Sequence, residues 1–250
     1  MSIAKTRRAF LVSTTAAGGG LWLGCKAGEA ADHGRALPAA LARKDGSSSS
    51  EEHEVTAVED LMREHGVIRR ALVVYREAAQ RLRTKSAEVP NDALQKTARL
   101  LRSFAEDYHE KKLEETHIFP AVKRAGGTAA GYVDVLIAQH ERGRETNEWL
   151  LARAGAARTL ADTELIAQAL EAFARMYEEH AAIEDTVVFP AWKKTLSGKQ
   201  LDEMGELFED IEHKTFGKDG FDDAVEQITT IERAFRLDLS QFTPPPPGPR

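Results

Sequence analysis

The chain has few of the residues from which disulfides, thiolate zinc sites and nucleic-acid-binding surfaces are built. It contains one cysteine in 250 residues, which excludes an intramolecular disulfide and a zinc site made of several thiolates. Asp and Glu outnumber Lys and Arg, the net charge is −6, and the basic residues are not concentrated in one segment. The sequence therefore does not favour nucleic acid as a partner.

Long hydrophobic runs and strand patterns are lacking as well. No run approaches the roughly 20 consecutive apolar residues that a membrane-spanning helix requires. No segment alternates apolar and polar residues with a period of two over the length of a strand. We therefore expect an all-α protein whose mature form has no transmembrane span, and the chain is long enough to bury one substantial core.

Residues 1–30 have the character of an export signal. The stretch TRRAFLV (residues 6–12) places two arginines before an apolar pair, and a weakly apolar run rich in Gly and Ala follows. It resembles a twin-arginine signal, which predicts a periplasmic location or a lipid anchor on the outer face of the membrane. Cys25 in LWLGC resembles a lipoprotein cleavage box, with Trp22 where that pattern prefers Leu, and is a candidate lipid attachment site. The alternative is cleavage by a peptidase near residues 27–32.

The remaining chain divides by composition into a linker, a helical bundle and a tail. Apolar residues recur at steps of three and four in four long segments and two shorter ones, which favours helices throughout. Short loops between long helices are typical of an up-down-up-down four-helix bundle, here with two additional C-terminal helices. The predicted divisions are a flexible linker at 31–51, the bundle at 52–197, a helical extension at 198–240 and a Pro-rich tail at 241–250.

Each of the four long helices carries a histidine inside its apolar stripe. These are His65, His109, His140 and His180. The second and fourth helices add Glu114 and Glu184 and then end in Phe-Pro, so the chain repeats one helical hairpin. Burying six such groups is costly unless they surround cations. Imidazole with carboxylate and no thiolate suits iron, manganese or zinc, and two carboxylates can bridge a pair of metal ions in a bundle core.

The spacing of the ligand candidates differs between the two halves. His180 and Glu184 are four residues apart and stack on one face of an α-helix. His109 and Glu114 are five apart, which places them about 140° around a regular helix. A π-bulge near Lys111 and Lys112 would restore their common direction. The alternative is that Glu110 or Glu115 takes part instead.

A ferritin-like di-iron bundle is the nearest competing interpretation. Glu106 with His109 and Glu114 with His117 both have the Glu-x-x-His spacing of such bundles. That family needs two such pairs and two lone glutamates, whereas Val187 stands at the position equivalent to His117 and the lone candidates are histidines. The other histidines are weaker candidates: His33 and His53 lie in or beside the linker, and His213 lies at the end of a helix.

The segments REHGVIRRAL, DYHEKKLEETHIFP, AQHERGRE and EEHAAIEDTVVFP resemble those of bacterial hemerythrin-like (HHE cation-binding) domains. The resemblance implies a four-helix bundle with a non-haem di-iron centre, in which the four histidines are terminal ligands and Glu114 and Glu184 bridge. Oxygen-carrying hemerythrins have a fifth histidine, and Arg144 stands at that position here. The resemblance therefore implies an open coordination position for oxygen, nitric oxide or peroxide rather than simple reversible oxygen carriage.

Three functions remain open from the sequence. The first is a di-iron protein that binds a small diatomic or peroxide ligand, with manganese or zinc as alternative metals. The second is a redox enzyme of the same fold, which would reduce peroxide or nitric oxide or repair iron centres. The third is a metal-free structural bundle. The absence of a fused electron-transfer domain favours binding over catalysis.

Overall fold

The computed structural model describes residues 55–153 and 160–247, and within these ranges the chain contains helices and no β-strand. The predicted all-α bundle with two additional C-terminal helices is therefore confirmed. None of the described helices is long and apolar enough to cross a membrane. The predicted export signal, Cys25, His33, His53 and the linker lie outside the described residues.

The four bundle helices are not all continuous α-helices. The second and the fourth each contain a π-helical segment between two α-helical ones. In chain order the helices are α1 Ala57–Thr84, α2 Asn91–Leu100, π1 Leu101–Ile118, α3 Phe119–Ala125, α4 Gly127–Ala130, α5 Val133–Arg153, α6 Leu160–Ile183, π2 Glu184–Val188, α7 Phe189–Lys193, α8 Gly198–Phe216 and α9 Gly220–Ala234. Short 3₁₀ turns occupy Ser86–Glu88 and Leu239–Phe242.

Local sequence signals fix the ends of several helices. The hydroxyl of Thr56 accepts a hydrogen bond from the backbone N–H of Glu59 and caps α1. Ser197 and Gln200 form a capping box at the start of α8, and Gly217 ends that helix in the left-handed conformation with φ 69°. Pro90 takes the N-cap position of α2, where no side chain forms a capping hydrogen bond.

The two C-terminal helices cover one side of the bundle. Helix α9 packs against α1 and α2, while α8 packs against α1 and π1. Phe216 of α8 meets Tyr108 edge-on at 5.2 Å between ring centroids, and Phe208 stacks on Trp192 at 5.8 Å. Because Phe216 reaches a tyrosine of π1, the extension encloses the second bundle helix on the side that carries one of the candidate ligands. Beyond it, the prolines at 244–247 have no regular secondary structure.

Gly143 lies where α5 packs closely against α6. A Cβ at this position would overlap the hydroxyl of Tyr177 and lie 2.7 Å from its Cζ. We predict that Gly143→Ala lowers the free energy of unfolding in urea by about 1–3 kcal/mol, because Tyr177 is buried and must move. Gly205→Ala is the matched control, since its Cβ would meet only ordinary contact at 3.9 Å and alanine favours the helix by about 0.5–1 kcal/mol. Equal stability of the two variants would contradict the prediction.

Candidate metal centre

The structure brings all six predicted site residues together in the middle of the bundle. Each is at least 97% buried, with relative exposures between 0% and 3%. The Nε2 atoms of His65 and His109 are 3.0 Å apart, and those of His140 and His180 are also 3.0 Å apart. We call the space at the first pair position one and that at the second pair position two.

The two glutamates lie between these histidine pairs. Glu114 places Oε1 3.3 Å from Nε2 of His109 and Oε2 3.3 Å from Nε2 of His140. Glu184 places Oε2 3.5 Å from Nε2 of His65 and 3.1 Å from Nε2 of His180. Among the described residues, none of their four carboxylate oxygens has a hydrogen-bond partner. Both carboxylates thus reach towards both positions, and the side chains form groups that could hold metal ions.

The π-helical segments direct these glutamates inwards. His109 and Glu114 both lie in π1, which is longer than the single-turn bulge expected from the sequence. The carbonyl of Glu114 accepts from the N–H of Phe119, and that of Glu184 accepts from Phe189, each a bond across five residues. A proline follows each phenylalanine, lacks an N–H and crowds the carbonyl four residues before it. The wider turn at π2 was not predicted, although Pro190 was a signal for it.

Each imidazole forms a hydrogen bond through its Nδ1 atom with an oxygen acceptor on the side away from the centre of the site. The four bonds run from His65 to Asp185 Oδ1 (2.8 Å), from His109 to Glu64 Oε2 (2.6 Å), from His140 to Glu115 Oε1 (2.9 Å) and from His180 to Gln139 Oε1 (2.9 Å). Carboxylate and amide oxygens only accept, so each Nδ1 donates a proton and each Nε2 faces the centre. This arrangement is the one that orients histidine ligands at metal sites.

The same partners recur in both halves of the chain. Asp185 and Glu115 each follow a central glutamate and bind the histidine of the other half. Arg69 and Arg144, each four residues after a histidine, form ion pairs with these two carboxylates. Although Arg144 lies in a segment rich in charged residues, its side chain is only 15% exposed and also binds Glu110 at 3.0 Å.

The phenylalanines of the two Phe-Pro pairs form the apolar wall of the site. Phe189 stacks on the ring of His65 at 5.3 Å between centroids, and Phe119 stacks on His140 at 5.5 Å. Both are fully buried. Their sequence position after a predicted ligand helix was visible, but their contact with the histidine of the other hairpin required the tertiary fold.

The comparisons with known proteins agree with this geometry. The family model of the hemerythrin HHE cation binding domain matches residues 56–192, which include all six residues. The chain belongs to the hemerythrin family. Uncharacterized proteins of Mycobacterium bovis and Mycobacterium tuberculosis are 39% identical to it over 241 residues, covering 95% of this chain and 91% of each relative. No solved structure matched the chain.

The hemerythrin bundle leaves the competing carboxylates outside the central group. Glu115 and Glu110 lie behind His140, where both accept from Arg144, and Tyr177 donates to Glu110 at 2.7 Å. His117, of the ferritin-like pattern, is half-buried against Phe208 instead.

Burial and the neighbouring charges shift the pKa values of three imidazoles of this hemerythrin site. Burial opposes protonation of His109, but the charge of Glu114, whose Oε1 lies 3.3 Å from Nε2, and the hydrogen bond to Glu64 raise its pKa well above the ordinary value. Burial also opposes protonation of His140, but Glu110 and the neighbouring glutamates raise its pKa to about 10. Burial and the charge of His140 lower the pKa of His180 to about 3.

The pKa values of the two glutamates between the pairs shift in opposite directions. Burial opposes ionisation of Glu114, but His109 and His140 hold its pKa well below the usual range. Burial and the charge of Glu114 raise the pKa of Glu184 well above it.

Glu106 provides a pH test outside this group. It lies three residues before His109 and pairs with Arg102 at 3.0 Å, and burial followed by the charge of Glu110 raises its pKa from 4.5 to about 7. A raised folded-state pKa gives stability that is complete below about pH 4.5 and is lost as pH rises through about 7. We predict that, as pH rises from 5 to 8, the free energy of unfolding of Glu106→Gln, measured in urea, increases by about 2–3 kcal/mol relative to that of the parent chain. The exposed Glu141→Gln is the control, and a difference independent of pH would contradict the prediction.

Proposed function

We propose that the chain is a non-haem di-iron protein that binds a small ligand such as oxygen, nitric oxide or peroxide. The observation that carries this proposal is the geometry at the two positions. Four imidazoles are oriented by hydrogen bonds of their Nδ1 atoms, and their Nε2 atoms face two central carboxylates that have no hydrogen-bond partner among the described residues. In this proposal His65 and His109 would hold one ion, His140 and His180 would hold the other, and Glu114 and Glu184 would contribute carboxylates to both.

The donor set supports a hard to intermediate divalent cation. Imidazole nitrogen with carboxylate oxygen suits iron, manganese and zinc, and the single cysteine lies at position 25, outside the bundle sequence. The family match supports iron among these metals. Manganese or zinc would occupy the same ligands, so metal analysis of the isolated protein distinguishes them.

The chain's own residues supply orientation and exclusion of water. The Nδ1 acceptors fix the imidazole rings, and Phe119 and Phe189 cover two of them with apolar surface. Arg144 stands where a fifth histidine is found in oxygen carriers, and it binds Glu110 and Glu115 rather than facing the centre. Ferrous iron held by these residues would supply affinity for diatomic ligands and peroxide.

Metal loading is the direct test. We predict that the protein, reduced and loaded anaerobically, binds about two iron ions per chain and gains visible charge-transfer absorption with oxygen or nitric oxide. His180→Ala removes one proposed ligand, so it loses metal and lowers the melting temperature of the loaded protein. His213→Ala is the control, because this exposed histidine lies in the last turn of α8. Less than about one iron per chain in the parent protein would reject the proposal.

We also propose that the protein is exported in folded form by the twin-arginine route, supported by TRRAFLV near the start of the sequence. Replacing both Arg7 and Arg8 by lysine would retain the protein in the cytoplasm, as measured by fractionation. The control is Lys5→Arg, which leaves the arginine pair intact. Unchanged export of the double variant would contradict this prediction.

A further inference from the structure

The outer hydrogen-bond partners of the two histidine pairs match at every position but one. Asp185 corresponds to Glu115, and Arg69 corresponds to Arg144, in charge and in their contact with a histidine or with its carboxylate partner. The remaining pair consists of the residues that directly precede His65 and His140. These are Glu64 and Gln139, a carboxylate and a neutral amide.

Glu64 is an unusually placed carboxylate. It is 1% exposed, its Oε1 accepts from the hydroxyl of Tyr108 at 2.9 Å, and its Oε2 accepts from Nδ1 of His109 at 2.6 Å. Both oxygens of Glu64 therefore accept. Among the described residues, no Lys or Arg forms an ion pair with it.

The other three outer partners carry less uncompensated charge. Asp185 and Glu115 are each paired with an arginine, and Gln139 is neutral. Glu110 adds a buried carboxylate near position two, with Oε2 3.9 Å from Nδ1 of His140. It accepts from Arg144 and Tyr177, however, and His140 donates to Glu115 instead.

A carboxylate that accepts from a ligating imidazole increases the basicity of that ligand and its affinity for a metal ion. Position one has two such imidazoles, and one of their carboxylates, that of Glu64, has no arginine partner in the part of the chain that the structure describes. Position two has one carboxylate-bound imidazole and one amide-bound imidazole. We propose that the two metal positions are inequivalent and that Glu64, acting as a positioning residue through His109, makes the His65–His109 position the tighter one, which fills first. This inference rests on the proposed function.

Anaerobic calorimetric titration of the full metal-free chain with Fe²⁺ tests it. We expect two dissociation constants that differ by about tenfold or more, the range typical of outer carboxylate partners. Glu64→Gln should weaken the tighter step by about tenfold. Gln139→Glu should strengthen the weaker step, and since Gln139 is partly exposed, this variant tests the idea even if Glu64→Gln does not fold.

The position of the first ion is a readout that a general loss of stability would not move. Anomalous scattering from crystals grown with one equivalent of Fe²⁺ should locate it beside His65 and His109 in the parent chain. In the double variant Glu64→Gln/Gln139→Glu it should lie beside His140 and His180. Glu106→Gln is the matched control, because it removes a buried carboxylate that contacts Arg102 rather than an imidazole, and both constants should persist.

The outcomes separate this inference from the function on which it rests. The inference alone would be overturned if two ions bound with equal dissociation constants that neither Glu64→Gln nor Gln139→Glu altered. It would also be overturned if the first ion lay beside His140 and His180 in the parent chain. Absence of Fe²⁺ binding in the parent chain would overturn the proposed function and the inference with it.

Discussion

The central constraint on this bundle is the burial of four imidazoles and two carboxylates at one level of an otherwise apolar core. Such groups are tolerated only when their hydrogen-bonding capacity is used or when cations compensate them. Here the Nδ1 side of every imidazole is satisfied by an oxygen acceptor, while the central carboxylate oxygens are not. The rest of the site follows from this division. The hydrogen bonds of the Nδ1 atoms fix the orientation of the rings, and the Nε2 atoms and the central carboxylate oxygens face one another.

The sequence was sufficient for the fold and for the inner set of residues. The 3.6-residue periodicity predicted the bundle helices, and histidines within those stripes identified the positions that face the centre. The five-residue interval between His109 and Glu114 also predicted a π-helical distortion, because a regular helix could not aim both at one point. The extent of π1 and the existence of π2 were not predicted, since they depend on backbone hydrogen bonds near Pro120 and Pro190 that periodicity does not encode.

The outer partners could not be predicted, and the reason is geometric. Glu64, Gln139, Glu115 and Asp185 are polar residues adjacent to candidate ligands, which in a single sequence are indistinguishable from solvated neighbours. Each one binds a histidine on a different helix, so its role depends on how the hairpins pack together. The contacts of Arg144 could not be predicted for the same reason, because Glu110 and Glu115 come from π1 and meet its guanidinium in the bundle.

The C-terminal extension breaks the near-twofold repetition in the same half as Glu64. Helix α8 places Phe216 against Tyr108. The hydroxyl of Tyr108 donates to one oxygen of Glu64, and the other oxygen of Glu64 accepts from His109. A carboxylate shielded from water in this way interacts more strongly with the imidazole it contacts, because the local dielectric is low. Gln139 lies on a partly exposed side of the bundle and needs no such cover. The additional helices therefore reach, through Tyr108, the one outer carboxylate that no arginine accompanies in the described structure, so in the proposed inequivalence of the two positions they would support the tighter one.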